Sequence, residues 1–288
     1  MKHLKMNFSK KHITTKDYLV SGEVFDLMLD ENLGLLKTFP TPQPSALGKY
    51  YQSEDYLSHK DKSRNLMSVL YNVVKKISLQ RKIKHLKKYK ETGNLLDVGA
   101  GTGSFLAVAK KAGFTTSGVE PNPDARDLAM QKKLDVVESL DKLKNSKFDV
   151  ITMWHVLEHI PNLNETIQLL KNFLTEDGIL IIAVPNYKCY DALYYKEYWA
   201  GYDVPRHLWH FSQESIQKIF ENKLTLMEIK GMPFDSFYVS LLSEKYKSGK
   251  SFSLKAIYVG FLSNLKARKT GSWSSLTYVF KNTQNKPL

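Results

Sequence analysis

The stretch Leu95–Phe105, LLDVGAGTGSF, constrains the fold more than any other part of this 288-residue chain. Leu95, Leu96 and Val98 form a short apolar run of the kind a buried strand requires, and Gly99, Gly101 and Gly103 follow at once. Three glycines in that position predict a sharp turn opening a helix. Without Cβ atoms, a ligand can lie against backbone N–H groups at the helix start. The spacing is G-x-G-x-G, with Ser104 where a dinucleotide fingerprint places its third glycine. The expected unit is a strand, loop and helix that cradle a nucleotide-like ligand.

A second strand, Thr115–Val119, ends in Glu120, Pro121 and Asn122. An acidic residue about 20 positions beyond such a loop is where doubly wound folds grip a ribose diol. Together, LLDVGAGTG and GVEPN resemble the first two motifs of the class I S-adenosylmethionine-dependent methyltransferases. FDVITMWHVLEHI (148–160) resembles that family's fourth strand and the cofactor-flanking segment after it, and GILIIAVPN (178–186) its fifth strand. The resemblance spans residues 91–230. It implies S-adenosyl-L-methionine as cofactor, with Gly99, Ala100, Gly101 and Gly103 walling the methionine end and Asp97 anchoring its amino group. It also implies Glu120 and Pro121 at the ribose, Ser139 and Leu140 at the adenine, and Trp154 and His155 beside the sulfonium. Tyr50, Tyr51 and Tyr56, just ahead of the domain, are the candidates for a tyrosine that closes over the methionine end; Tyr51 is the first choice.

Beyond the loop, strands are expected near 94–98, 115–119, 134–138, 147–153 and 178–184, with helices near 103–112, 122–132 and 161–174. Repeated βαβ units predict a parallel sheet covered on both faces, with ligands at the carboxyl ends of its strands. Residues 223–232 read as a sixth strand and Ser275–Lys281 as a seventh that returns antiparallel. The fold class is therefore α/β, a Rossmann-like, doubly wound, seven-stranded and mostly parallel sheet. Residues 1–45 form a small N-terminal β module and linker, 46–90 a helical lead-in, 91–232 the catalytic core, and 233–288 a helical cap with the final strand. In layout the module resembles a zinc ribbon found ahead of some bacterial relatives, but it has no cysteine. In the cap, Phe234, Phe237, Tyr238, Leu241 and Leu242, and then Leu254, Ile257, Tyr258, Phe261, Leu262 and Leu265, recur at helical spacing. Two placements fit: an apolar face packed over the site, or one lying on a membrane surface with Lys255, Lys266, Arg268 and Lys269 beside it.

Charge narrows the partners. The chain carries a net +13, yet residues 91–230 hold 15 Lys/Arg against 19 Asp/Glu, so the excess lies in the flanks, densest in Arg81–Lys90. That run reads either as the solvated face of a helix or as contact with an acidic membrane or nucleic acid. No apolar run approaches the about 18 residues of a membrane span. The basic start MKHLKMNFSK has no apolar core of a secretory signal. A single cysteine, Cys189, excludes an internal disulfide and a cysteine zinc cluster. A cytoplasmic setting is expected.

His155, Glu158 and His159 spell H-x-x-E-H, an inverted zinc-protease motif. Pro161 leaves less than two helical turns after a core strand, so no metal is expected. In YWAGYDVPRHLWHFS (198–212), where the resemblance places the acceptor pocket, His207 is the candidate general base, since an imidazole titrates near neutral pH. Trp199, Tyr202 and Trp209 are its expected apolar walls, and His155 and Glu158 complete the catalytic candidates. The leading expectation is methylation of a small molecule on O, N or C. The alternatives are an RNA or other nucleic-acid methyltransferase and a cofactor-binding adaptor without catalysis. Against the DNA forms, no [DNS]-P-P-[YFW] follows the fourth strand, and no proline precedes Cys189.

Overall fold

The computed structural model describes residues 5–51, 66–144, 146–250 and 252–282; Tyr56 lies outside them. A seven-stranded sheet forms the centre. Its strands are β4 (Gly93–Val98), β5 (Phe114–Val119), β6 (Asp135–Val137), β7 (Phe148–Trp154), β8 (Leu174–Pro185), β10 (Thr225–Gly231) and β11 (Ser275–Lys281), in the order β10-β11-β8-β7-β4-β5-β6. Pairs β4–β5, β4–β7, β5–β6 and β7–β8 are parallel, and β11 runs antiparallel to both neighbours. Leu95, Leu96, Val150, Ile151 and Leu180–Ala183 are fully buried, as befits strands covered on both faces. The chain moves outward from β4 through β5 and β6, then returns to β7 on the other side. The crevice of such a sheet opens at that reversal.

Helices α1 (Leu66–Leu86), α2 (Ser104–Lys111), α3 (Pro123–Met130), α4 (Leu163–Phe173), α5 (Tyr190–Tyr195), α6 (Gln213–Phe220), α7 (Asp235–Ser248) and α8 (Leu254–Thr270) complete the layers. The end of α1 is tied to β10 through His85 Nε2, 2.7 Å from Glu228 Oε2. Of the two placements left open for α7 and α8, the structure turns much of the large apolar set outward. Small residues pack inward: Ser236, Ser240 and Ser243 on α7, and Ala256, Val259, Gly260, Ser263 and Ala267 on α8. Tyr238, Leu254, Tyr258, Phe261 and Leu265 point to solvent. The two helices approach too closely for large side chains between them. At Gly260 an added Cβ would lie 3.0 Å from Phe237.

Near the N-terminus, β1 (Lys10–Lys16), β2 (Val24–Asp30) and β3 (Leu35–Phe39) form an antiparallel meander completed by β9 (Trp209–His210), which comes from the predicted acceptor segment. The Arg206 guanidinium, 1% exposed, locks the two parts together. It donates to Asp17 Oδ1 at 2.9 Å, to Asp203 Oδ1 at 2.7 Å and to the Tyr50 carbonyl at 2.8 Å. Burial alone would raise the Asp17 carboxyl, but the Arg206 hydrogen bond and the Ser21 and Leu19 N–H groups hold it below the usual aspartate range.

Removing one partner of this pair strands a buried charge, so Arg206→Met is expected to cost about 3–5 kcal/mol of stability in urea denaturation. Because the folded Asp17 pKa lies below its unfolded value, its contribution is complete above about pH 4 and is lost as pH falls through the folded pKa. Asp17→Asn should therefore be less stable than the parent at pH 7 and show a flatter stability profile below pH 4. An unchanged acid slope would remove Asp17 from the linkage.

Candidate functional site

The loop after β4 takes left-handed backbone at Gly99 (φ +74°), Gly101 (φ +54°) and Gly103 (φ +73°). Two of these glycines are required by packing. A Cβ on Gly99 would sit 2.4 Å from Val156 Cγ2, and one on Gly103 2.4 Å from Leu134 Cδ1. Gly101 differs, with no heavy atom within 4 Å of its Cβ position. The loop therefore opens at Gly101, and α2 begins just beyond it with no side-chain cap, leaving amide N–H groups directed at that space. Glu120, at the tip of β5, accepts from the Gly101 N–H at 2.8 Å and the Asn122 N–H at 2.9 Å. Pro121 follows it, and Ser139 and Leu140 lie just past β6, before the short turn Leu140–Leu143.

Asp97, 3% exposed on β4, accepts the Thr152 hydroxyl at 2.6 Å. Burial pushes its carboxyl up to about 7, against the lowering effects of that bond and of Lys82. Lys82 reaches in from α1, its ammonium 4.2 Å above the Trp154 ring. Burial lowers its pKa against the pull of Asp97 and Asp235. The Trp154 indole N–H is buried without a hydrogen-bond partner. Lys82 was not among the sequence candidates. It lies in the basic run read as a solvated face, and nothing local separates it from its exposed neighbours Arg81 and Lys84.

His155, the first residue past β7, also adopts left-handed backbone (φ +57°), an uncommon conformation that clusters at functional sites. Its Nδ1 lies 3.5 Å from Glu158 Oε1 and its Nε2 3.2 Å from Asp235 Oδ2. Burial lowers its pKa, but Asp235 and Glu158 outweigh that and carry it up to about 9. The two carboxylates on either side of the ring thus favour its protonated form. Asp235, the first residue of α7, is a second group that sequence reading missed; only the placement of α7, packed against α8 and α5, brings it there.

Glu158 and His159 occupy a short turn (Leu157–His159) against the segment holding His207. Glu158 is 1% exposed, with its Oε1 facing His155 Nδ1 at 3.5 Å. Burial raises its pKa, but the His155 hydrogen bond and the neighbouring His207 and His159 bring it below the usual range. His159 Nδ1 lies 3.0 Å from the Arg206 carbonyl and 3.3 Å from the Tyr51 hydroxyl. Burial and His207 lower its pKa to about 4. His207 Nδ1 lies 3.0 Å from the Gly201 carbonyl, and its ring meets His159 edge-on at 4.6 Å.

The structure thus gathers Tyr51, His155, Glu158, His159 and His207 beside the Gly99–Val156 contact. Glu120, Pro121, Ser139 and Leu140 stand along the neighbouring strand tips. His210 turns away, bonded to the Thr38 hydroxyl at 2.9 Å. Of the expected pocket walls, Trp199 and Tyr202, 2 and 3% exposed, line a small cavity with Asp203, Arg206 and Tyr246, and Trp209, 6% exposed, packs into the core. The Trp199 and Trp209 indole N–H groups are spent on Asp191 and the Ile160 carbonyl.

Residues 75–223 match the model of the Methyltransferase domain family, over half the chain, and the chain belongs to that family. Among curated relatives, the ubiquinone biosynthesis O-methyltransferase of Glaesserella parasuis is 33% identical over 106 residues, covering 32% of this chain and 45% of that protein. Its counterpart in Rickettsia prowazekii is 27% identical over 157 residues, covering 49% and 62%. The chain thus matches under two thirds of the length of either relative. Two solved structures share the fold. The O-MT segment of StiE has a TM-score of 0.52 at 15% identity, covering 77% of this chain and 79% of that one. A SAM-dependent methyltransferase from Thermotoga maritima has a TM-score of 0.50 at 14% identity, covering 75% and 95%.

The loop geometry separates its glycines. Gly101→Ala should cost only the left-handed backbone penalty of about 1–2 kcal/mol, whereas Gly99→Ala and Gly103→Ala add a clash and should each cost at least about 1 kcal/mol more. Urea denaturation of the three variants checks this ranking, and equal costs would contradict it.

Proposed function

We propose that this chain transfers a methyl group from S-adenosyl-L-methionine to a hydroxyl of a small, phenol-like acceptor. The observation that carries the reading is the open side of Gly101 between Glu120 and the start of α2. A Cβ there would project into empty space, which is what a cofactor lying against the loop requires. S-Adenosylmethionine, when bound, supplies a sulfonium methyl whose displacement needs no activated leaving group. The chain's residues then have to align and to manage a proton.

In this reading the Gly99–Gly103 backbone holds the methionine end and Asp97 its amino group. Glu120 and Pro121 take the ribose, Ser139 and Leu140 the adenine, and Trp154 the region of the sulfonium. His155 orients Glu158 through the ion pair it also makes with Asp235. Tyr51 orients His159. The acceptor's hydroxyl faces Glu158, His159 and His207, and its proton leaves on that side. The division into module (1–45), lead-in (46–90), core (91–232) and cap (233–288) is part of the same proposal. The phenol-like acceptor is drawn from the names of the curated relatives.

The same reading includes peripheral contact with an acidic bilayer as the source of an apolar acceptor. Among the described residues, no helix is long and apolar enough to cross a membrane. The outer face of α7 and α8, however, presents Tyr238, Leu254, Tyr258, Phe261 and Leu265 together. Lys247, Lys250, Lys255, Lys266, Arg268 and Lys269 accompany them, while the acidic residues of the two helices turn inward, Asp235 to His155 and Glu244 into the interior. Exposed rings ringed by cations match a surface of anionic headgroups.

Calorimetric titration should show micromolar S-adenosylmethionine binding and no NAD binding. Glu120→Ala should weaken the former at least tenfold, about 1.4 kcal/mol, and unchanged affinity would remove Glu120 from the site. Co-sedimentation should occur with phosphatidylglycerol vesicles but not with phosphatidylcholine. It should be lost in Tyr258→Ser/Phe261→Ser; retention by that variant would sink the bilayer contact.

A further inference from the structure

The segment that carries His207 is held by the N-terminal meander. Thr38 of β3 donates its hydroxyl to the His207 carbonyl at 2.6 Å and its backbone N–H to the Leu208 carbonyl at 3.0 Å. Four residues before His207, Asp203 takes left-handed backbone (φ +36°), and Arg206 grips its carboxylate through Nε at 3.0 Å and a terminal nitrogen at 2.7 Å. The same guanidinium reaches Asp17, buried just past β1. So fixed, Asp203 places Oδ2 3.9 Å from His207 Nε2. The other ring nitrogen decides what stands there. A carbonyl only accepts, so His207 Nδ1 carries the hydrogen it gives to the Gly201 carbonyl at 3.0 Å, and the neutral ring keeps its lone pair on Nε2. A lone pair facing a carboxylate gains nothing from it. A proton on that nitrogen turns the two into an ion pair.

We propose that His207 Nε2 takes the proton of the acceptor's hydroxyl, and that Asp203, clamped to the N-terminal meander through Arg206 and Asp17, is the residue that positions His207 and stabilises the imidazolium formed. The neighbouring histidines are committed elsewhere. His155 lies between Glu158 and Asp235, which favour its protonated form. Burial and His207 lower the His159 pKa to about 4, which makes it a weak base at neutral pH, and His210 is bonded to the Thr38 hydroxyl. The groups facing His207 are Asp203 from its own segment, Glu158 and His159 from the turn after β7, and His210 from β9. The Arg206 charge nearby is matched by Asp17. Two carboxylates therefore meet the arriving proton, and burial holds both neighbouring imidazoles toward their neutral forms.

The assignment rests on the methyltransferase reading above. The acceptor's O–H bond breaks and its proton bonds to the Nε2 lone pair, an oxygen lone pair forms the bond to the methyl carbon, and the C–S pair stays on sulfur. The meander thus supports the proton acceptor instead of hanging from the core as a separate adaptor.

The test is histidine-ring NMR of the full chain across pH, with the His207 signal assigned by its loss in His207→Gln. In Asp203→Asn, which keeps an oxygen for Arg206, that signal should titrate at lower pH, the ring's proton affinity falling at least about threefold. Asp203→Glu should restore most of it. Asp17→Asn removes the same charge on the far side of Arg206 and should move the signal less, which tells loosening of the clamp from loss of the facing carboxylate. With catechol as acceptor, His207→Gln should lower kcat at least about a hundredfold. Asp203→Asn should lower kcat about tenfold and displace its acid limb to lower pH; both variants should keep their S-adenosylmethionine affinity. A His207 signal that titrates alike in the parent and in Asp203→Asn overturns the role of Asp203. Catechol turnover unchanged in His207→Gln, or no catechol methylation by the parent with S-adenosylmethionine bound, overturns the role of His207. No S-adenosylmethionine binding by the parent sinks the methyltransferase reading instead, and a displaced His207 titration in Asp203→Asn upholds the pairing even then.

Discussion

The contact between Gly99 and Val156 governs the geometry of the whole site. These residues lie at the start of the loops after β4 and β7, Gly99 first and Val156 second, the adjacent parallel strands between which the sheet reverses its winding. With a Cβ on Gly99 only 2.4 Å from Val156, the loops meet backbone to side chain with no room to spare. One loop then opens at Gly101 toward Glu120, and the other turns through the left-handed His155 into Glu158 and His159. The open side of Gly101 and a polar cluster end up near each other because two strand ends can approach only over a glycine.

The electrostatics of this edge oppose those of the chain. The protein carries +13, yet Asp97, Glu120, Glu158, Asp203 and Asp235 gather here against Lys82, His155 and Arg206. Arg206 is committed to Asp17 and Asp203, and His155 to Glu158 and Asp235. Lys82 alone faces Asp97 from across the Trp154 ring. An edge so arranged favours a ligand that brings positive charge, such as a sulfonium, over a second nucleotide phosphate.

Much of this was legible from local pattern. Each core strand falls within a few residues of its apolar run, and the final antiparallel strand lies at Ser275–Lys281 as expected. A parallel strand buried on both faces must be apolar throughout, which makes it readable without its neighbours. The cap helices could not be settled that way, because two placements fitted their periodicity. Their apolar periodicity is real, but the inner contact is made mostly by serine, alanine, glycine and valine, with Phe237 against Gly260, and Tyr238, Leu254, Tyr258, Phe261 and Leu265 are left outside. Of the three aromatics read as pocket walls, Trp199 and Tyr202 line a small cavity beside Arg206, and Trp209 packs into the core.

The sequence by itself determined the strand, loop and helix cradle, the acidic residue at the next strand tip and the order of βαβ units, because each is a local demand of backbone sterics or periodicity. Only the tertiary structure decided that His207 would meet Glu158 and His159, that Asp235 would pair with His155, that Lys82 would turn inward from a basic run, and that Asp17 would clamp Arg206. Those partners are separated by 48 to 189 residues or belong to a helix whose exposed and buried lysines look alike. Which of them touch depends on how packed layers fit, and no pattern along the chain encodes that.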